Sequence, residues 1–310
     1  MQSYKRIFNA ILWLFRTCDY RNFAIEEKLL FGQKQLKKTI ILFSLIFFSC
    51  SNESDDNDSV NYIGLSYGSE TNQKMDLYLP AGRNSETPLL IIVHGGGWAG
   101  GDKSEGGDWP KGISQRNMAV ANVNYRLIDG VSVTWRDQIE DIDLIVDFLQ
   151  SKSDDFEYSS KKIIMMGQSA GGHLSLLYSH KYDTAGRIKA VISLAGPTDL
   201  TSSELKTYLT AKGILLSQVF TDATQENDAS PAKNYRNLPT LFLHGKVDDV
   251  VPYSQSKDMY TAMNASGFFC SLVLFDDTGH SVVSNDSNPS VNRFNEVNTA
   301  ILDWIKKYSK

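Results

Sequence analysis

The feature that most restricts the fold of this chain is a series of six short apolar runs, each closed by glycine or by polar residues. They are PLLIIVHGG, MAVANVNY, KKIIMMG, IKAVISLAG, PTLFLHG and CSLVLFDD. A strand with one wet face alternates apolar and polar residues, so a continuous apolar run of this length reads as a strand covered on both faces, as in a parallel sheet. Segments of helical spacing lie between the runs: residues 136–151 set Ile139, Ile142, Ile145, Val146 and Leu149 on one face, and 170–182, 254–266 and 292–308 complete the series. Ahead of them, NYIGLSYG and KMDLYLP flank a polar turn and read as an N-terminal hairpin. Strands alternating with helices predict an α/β fold, a mostly parallel central sheet flanked by helices. Residues 198–238 break the alternation with helical fragments near 203–210 and 212–220 and then the polar TDATQENDASP, and are expected to form a small helical cap insertion over the sheet's edge.

Gly167-Gln168-Ser169-Ala170-Gly171 falls between an apolar strand and an apolar helix, the context of a nucleophile elbow. The turn is sharp, and Gly167, Ala170, Gly171 and Gly172 leave room for it. The helix start behind Ser169 adds partial positive charge where an oxyanion would form. A serine hydroxyl is a weak nucleophile near neutral pH and needs a histidine base oriented by a carboxylate. Of the five histidines, His173 and His180 fall on the helix after Ser169, and His94 and His244 sit in His-Gly turns where packing is the expected role. His280, in DDTGHS after the last strand, lies at the same carboxyl end of the sheet as Ser169. The preceding strand end, HGKVDDVVP, offers Asp248 and Asp249 as the acid. His94-Gly95-Gly96-Gly97-Trp98 follows the first buried strand, where glycines let backbone amides approach a substrate oxygen; the amides of Gly96, Gly97 and Ala170 are the expected oxyanion donors, with Trp98 as a substitute for Gly96.

Together HGGGW, NYRL at 124–127, GQSAGG and HGKVDD resemble the α/β-hydrolase esterases related to hormone-sensitive lipase and to bacterial feruloyl and acetyl-xylan esterases, over about residues 62–308. The resemblance implies an α/β-hydrolase fold and a triad of Ser169, Asp248 and His280, with Asp248 chosen because the fifth position of HGxxDxxVP holds the acid. It further implies that Trp98 lines the substrate pocket and that Tyr125 and Arg126 support the site. The implied activity is a serine carboxylesterase working through an acyl-enzyme, with no metal and no cofactor. A polysaccharide deacetylase or feruloyl esterase is the expected form. Rivals are a short-chain lipase or general carboxylesterase, for which Ile214-Leu215-Leu216 and Val219-Phe220 would make an apolar lid, then a prolyl-oligopeptidase-type peptidase, then a non-catalytic surface binding protein.

The formal net charge of −5, without a Lys/Arg cluster beyond the N-terminal segment, excludes a nucleic-acid partner. Three cysteines, Cys18, Cys50 and Cys270, supply neither a disulfide framework nor a CxxC-type metal site. From Lys37 the sequence KKTIILFSLIFFSC has the layout of a secretory signal, its apolar run shorter than the about 20 residues a spanning helix needs. Ser49-Cys50 resembles a bacterial lipoprotein box, which makes Cys50 the expected lipidation site. The acidic SNESDDNDS tract after it resembles a surface-export signal of bacterial lipoproteins. The expected organisation is a leader over 1–50, an acidic linker over 51–60 and an α/β-hydrolase domain over 61–310. An exported enzyme, held at the outer membrane or cell surface by its N-terminal lipid and meeting the membrane only there, is the expectation for location.

Overall fold

The computed structural model describes residues 58–310. The leader, Cys50 and most of the acidic linker lie outside the described residues. Strands β1 (Val60–Ser66), β2 (Lys74–Leu79), β3 (Leu89–Val93), β4 (Ala119–Val123), β5 (Ile163–Gln168), β6 (Ile188–Leu194), β7 (Thr240–Gly245) and β8 (Cys270–Phe275) form one eight-stranded sheet. Its order is β1-β2-β4-β3-β5-β6-β7-β8, antiparallel at β1-β2 and β2-β4 and parallel elsewhere. The N-terminal hairpin and all six apolar runs are therefore strands of this sheet. The main helices are α1 (Trp109–Ser114), α2 (Trp135–Ser151), α3 (Ala170–Leu177), α4 (Ser203–Ala211), α5 (Ala223–Asp228), α6 (Ser254–Ala265) and α7 (Phe294–Tyr308).

The apolar runs are continuous because successive side chains enter different cores. Leu89, Ile91 and Val93 pack with Ile139, Ile142, Val146 and Leu149 of α2 on one face, whereas Leu90 and Ile92 pack with Ile113 of α1 and Val297, Ile301 and Ile305 of α7 on the other. Each strand side chain buried in this way contributes about 1.5–3 kcal/mol of transfer free energy, so neither face tolerates a polar residue without a partner.

The strand order also fixes where a ligand can sit. β4 lies on one side of β3 and β5 on the other, so the loops leaving β3 and β5 part company at their carboxyl ends and open a crevice. Val93 pairs in register with Gly167, which puts the His94–Trp98 loop and Ser169 side by side over that crevice.

The segment 198–238 differs from expectation in two respects. It joins β6 to β7, neither of which is an edge strand, and its residues 213–221 roof the catalytic end of the sheet. Its 212–220 stretch holds only a short 3₁₀ turn at Leu216–Gln218, while the polar TDATQENDASP contains α5, whose N-cap Asp222 accepts from the Gln225 amide at 2.9 Å. The apolar residues of 212–220 do not share a stripe: Leu216 and Phe220 enter the core, Leu215 lines the cleft, and Ile214 and Val219 line the cleft while packing against the core.

Candidate active site

β5 ends in the elbow. Ser169 has φ 55° and ψ −123°, a conformation an L-residue rarely adopts, and α3 starts at the next residue. Contacts that admit nothing bulkier hold it there: a Cβ on Gly171 would lie 2.3 Å from the carbonyl oxygens of Val93 and His94, and one on Gly167 would lie 2.2 Å from that of Gly171. Elbow and β3 loop are thus pressed together through their main chains.

His280, from the loop between β8 and α7, reaches back across the sheet. The Ser169 hydroxyl donates to His280 Nε2 at 2.9 Å, and His280 Nδ1–H donates to Asp248 Oδ2 at 2.9 Å. Gln168 Nε2 donates to the His280 carbonyl at 3.2 Å and ties the base loop to the elbow. The structure thus brings the three residues expected to form the triad into one hydrogen-bonded chain. The other carboxylate considered, Asp249, points to solvent and pairs with Lys212 at 2.6 Å.

Asp248 is buried and accepts four hydrogen bonds. Oδ1 takes the amides of Val250 at 2.8 Å and Val251 at 3.0 Å, and Oδ2 takes His280 Nδ1–H and, at 3.1 Å, His244 Nε2–H. Burial pushes its carboxyl upward, but the bonds from His244, His280 and Val251 outweigh burial and hold it well below the usual carboxylate range. It is therefore an ionised acceptor at neutral pH. Sequence reasoning gave His244 a packing role and missed this contact; the signal available was its four-residue spacing from Asp248 across the turn.

The β3 loop is held from several sides. Tyr125 stacks on His94 with ring centroids 4.4 Å apart and donates its hydroxyl to the His94 carbonyl at 3.0 Å. Gln138 Nε2 and the Ile128 amide donate to the Trp98 carbonyl at 2.7 and 3.0 Å. Arg126 pairs with the buried Asp141, which also receives Gln73 Nε2 at 2.7 Å. Tyr125 thus braces the loop directly, whereas the Arg126 side chain is spent on Asp137, Glu140 and Asp141 of α2 and only its carbonyl meets Gln138, a further brace that the sequence did not reveal. Gly96 (φ 112°) and Gly97 (φ 59°) line the cleft beside Ser169, and Ala170, as the first residue of α3, has an amide without an intrahelical acceptor.

Trp98 corrects an expectation. At φ 64° its indole turns into the core, where it is 1% exposed and is not among the residues lining the cleft. Its Nε1–H donates to His173 Nδ1 at 3.0 Å, its ring meets Phe220 edge-on, and His173 in turn donates Nε2–H to the Ala229 carbonyl at 2.8 Å. Burial pushes His173 down to about 4, so it is a neutral acceptor for the indole. Trp98 is an anchor of the loop and does not line the pocket.

The cleft above Ser169 has a volume of about 860 Å³. One wall is Ile128–Gly130 and the other is residues 213–221 of the cap, with Val250 and His280 at the floor. Ile214 touches the β3 loop, since a Cβ on Gly97 would lie 3.6 Å from its Cδ1. Asp129 spends its carboxylate on its own loop, accepting from the Ser132 hydroxyl and from the amides of Val131, Ser132 and Val133. The cleft thus mixes aliphatic side chains with the neutral polar Ser217, Gln218 and Thr221.

A mostly parallel eight-stranded sheet with a serine at a strained strand-to-helix turn and a histidine after the last strand is the architecture of an α/β hydrolase. The chain belongs to the BD-FAE family, whose model matches residues 75–263. Among curated relatives it is similar to the isoprenylcysteine alpha-carbonyl methylesterase ICME of Arabidopsis thaliana, 26% identical over 69% of this chain and 55% of that protein. The chain thus spans about half the length of the curated methylesterases it matches. Among solved structures it is similar in fold to esterase B from Lactobacillus Rhamnosis, with TM-score 0.64, 19% identity and coverage of 89% of this chain and 93% of that one. A truncated carbohydrate esterase from gut microbiota gives TM-score 0.66 at 19% identity, covering 84% of this chain and 99% of that one.

Proposed function

We propose that this protein is a serine carboxylesterase that works through an acyl-enzyme on Ser169. The observation that carries the reading is the unbroken chain Ser169–His280–Asp248, with both links at 2.9 Å, opening into the cleft. His280 Nε2 takes the Ser169 proton as Oγ attacks the ester carbonyl, and Asp248 stabilises the imidazolium that forms. The amides of Gly96, Gly97 and Ala170 face the carbonyl oxygen as it gains charge; one such donor lowers the barrier by about 3 kcal/mol in a comparable acyl-transfer site. The imidazolium returns its proton to the leaving alkoxide. Water, deprotonated by His280, then attacks the acyl carbonyl and releases the carboxylic acid and free serine.

Within that class, the proposed substrate is an acetyl or feruloyl ester on a polysaccharide side group. The neutral hydroxyl and amide groups of Ser217, Gln218 and Thr221 suit a polyhydroxylated alcohol, and the similarity in fold to a carbohydrate esterase supports the direction. An exported, lipid-anchored location at Cys50 belongs to the same proposal. Ile214, Leu215 and Val219 favour a second reading, a general esterase that accepts longer acyl chains. Hydrolysis of p-nitrophenyl acetate, p-nitrophenyl esters of longer acids and acetylated xylan by the purified chain, beside Ser169→Ala, tests both. Activity on acetylated xylan that disappears in the variant is the expected result. A preference for long acyl chains selects the second reading, and activity that survives in Ser169→Ala overturns the mechanism.

A further inference from the structure

His244 is the last polar residue of β7 before Gly245, fully buried, and shares Asp248 Oδ2 with His280. Its own partners decide its chemical form. Nε2 faces two acceptors, Asp248 Oδ2 at 3.1 Å and the Val251 carbonyl at 3.0 Å, so Nε2 must carry a proton. Nδ1 faces the Ser256 hydroxyl of α6 at 2.8 Å, a group able to donate to it or accept from it. The Nε2 side excludes the opposite tautomer, because an unprotonated Nε2 would meet the Asp248 and Val251 oxygens with no hydrogen between. Resting on the triad reading above, we infer that His244 is a positioning residue: a fixed Nε2–H donor that holds Oδ2 in line with His280 and drains part of its charge.

Oδ1 is secured by two main-chain amides of its own turn, which fix one oxygen of the carboxylate. The plane of the group, and with it the direction in which Oδ2 faces Nδ1 of His280, is left to side chains. Within that pair of side chains, His280 sits on a loop and is partly exposed, whereas His244 belongs to an interior strand and is braced by α6. Among the described residues, few charged and titratable groups face the site from other elements. Asp249 is turned outward to Lys212 of the cap, and Asp129 on the far wall is saturated by its own loop. His244 is thus the neighbour placed to tune how strongly Asp248 supports an imidazolium.

Removing the donor has a directional effect. With one donor fewer, Oδ2 holds the His280 imidazolium more strongly, the free base forms at higher pH, and the acid limb of the kcat/KM profile moves up by roughly half a pH unit. Loss of alignment lowers kcat on the order of tenfold, and KM stays near its wild-type value because His244 touches no part of the cleft.

The experiment is a pH series of p-nitrophenyl acetate hydrolysis by the full chain carrying His244→Leu or His244→Gln, beside wild type and Ser169→Ala. The Gln amide can reproduce the Nε2–H donor, so H244Q is expected to restore the wild-type acid limb and most of kcat, whereas H244L shifts the limb upward and loses kcat. A limb unmoved in a folded H244L, or an H244Q as impaired as H244L, overturns the inference; wild-type protein inactive on this ester, or Ser169→Ala active, defeats the triad reading instead. Should H244L fail to fold, ¹⁵N-histidine NMR of the wild-type chain, assigned by the signal missing in H244Q, decides alone. A proton on Nε2 throughout the acid limb supports the inference, and an Nδ1–H tautomer with bare Nε2 overturns it.

Discussion

Trp98→Phe separates an anchoring tryptophan from a substrate-contacting one. The substitution keeps an aromatic ring at a site that is 1% exposed but deletes the N–H that meets His173 Nδ1 at 3.0 Å. His173 is fully buried and its Nε2–H is already committed to the Ala229 carbonyl, so its Nδ1 lone pair is left without a donor. An unpaired buried acceptor costs about 1–3 kcal/mol, and the void left by the smaller ring adds about 1 kcal/mol. The sum, about 2–4 kcal/mol, corresponds to a fall in Tm of roughly 5–15 °C for a domain of this size. Urea denaturation should show the loss, with KM for short-acyl p-nitrophenyl esters within about twofold of wild type. In a double-mutant cycle with His173→Leu, the two costs should fail to add by about 1 kcal/mol, since each variant deletes the same bond. An unchanged denaturation midpoint together with a raised KM or an altered acyl preference would refute the anchoring role.

Asp248→Asn should lower kcat by roughly 10⁴-fold while Asp249→Asn stays within about twofold, because the first carboxylate supports the base and the second makes an exposed ion pair with Lys212; comparable losses in the two variants would mean that the acid is misassigned. Stability should fall on acidification from about pH 6.5 to about pH 4: burial holds His173 and His180 down at about 4 and about 3, so the unfolded chain, whose histidines titrate near 6.5, takes up protons that the folded chain refuses. Each contributes on the order of 1 kcal/mol per pH unit across that window, to be read from urea midpoints, and a flat profile between these limits would contradict it. Below it, Asp102, whose carboxyl is lowered to about 2 by bonds from Ser104 and Asn124 that outweigh its burial, adds a further loss in the same direction.

What the sequence discloses and what it hides follow a physical division. The strands are legible because burial on both faces leaves no polar alternation, and Ser169 and His280 are legible because each follows a strand run at the same end of the sheet; the strand end alone leaves Asp248 and Asp249 open, and the resemblance of HGKVDDVVP to the HGxxDxxVP pattern chooses between them. Trp98 misleads because an aromatic beside glycines suggests a pocket, whereas the sign of its φ, and with it the partnership with His173 and Phe220, is set by tertiary contacts far along the chain. The cap misleads for a related reason: 212–220 is apolar enough for a helix, but its apolar side chains are divided between core and cleft, with Ile214 and Val219 serving both, and helical periodicity cannot describe that. His244 is hidden because a His-Gly strand end looks like local packing until the turn folds Asp248 back over it.

The contact between Gly171 and the carbonyls of Val93 and His94 has a consequence for how such an enzyme can change. Every amide proposed to polarise the ester belongs to a peptide unit, and their spacing is set where one main chain rests on another. An amino-acid replacement other than to proline cannot delete a peptide N–H. Mutational drift therefore reaches the polarising half of the chemistry chiefly through the glycines that let these main chains meet, while the walls at 128–130 and 213–221, built from side chains, are open to it. Altered ester preference should arise first on those two segments, and libraries meant to redirect the enzyme belong there, leaving the elbow and the glycine loop untouched.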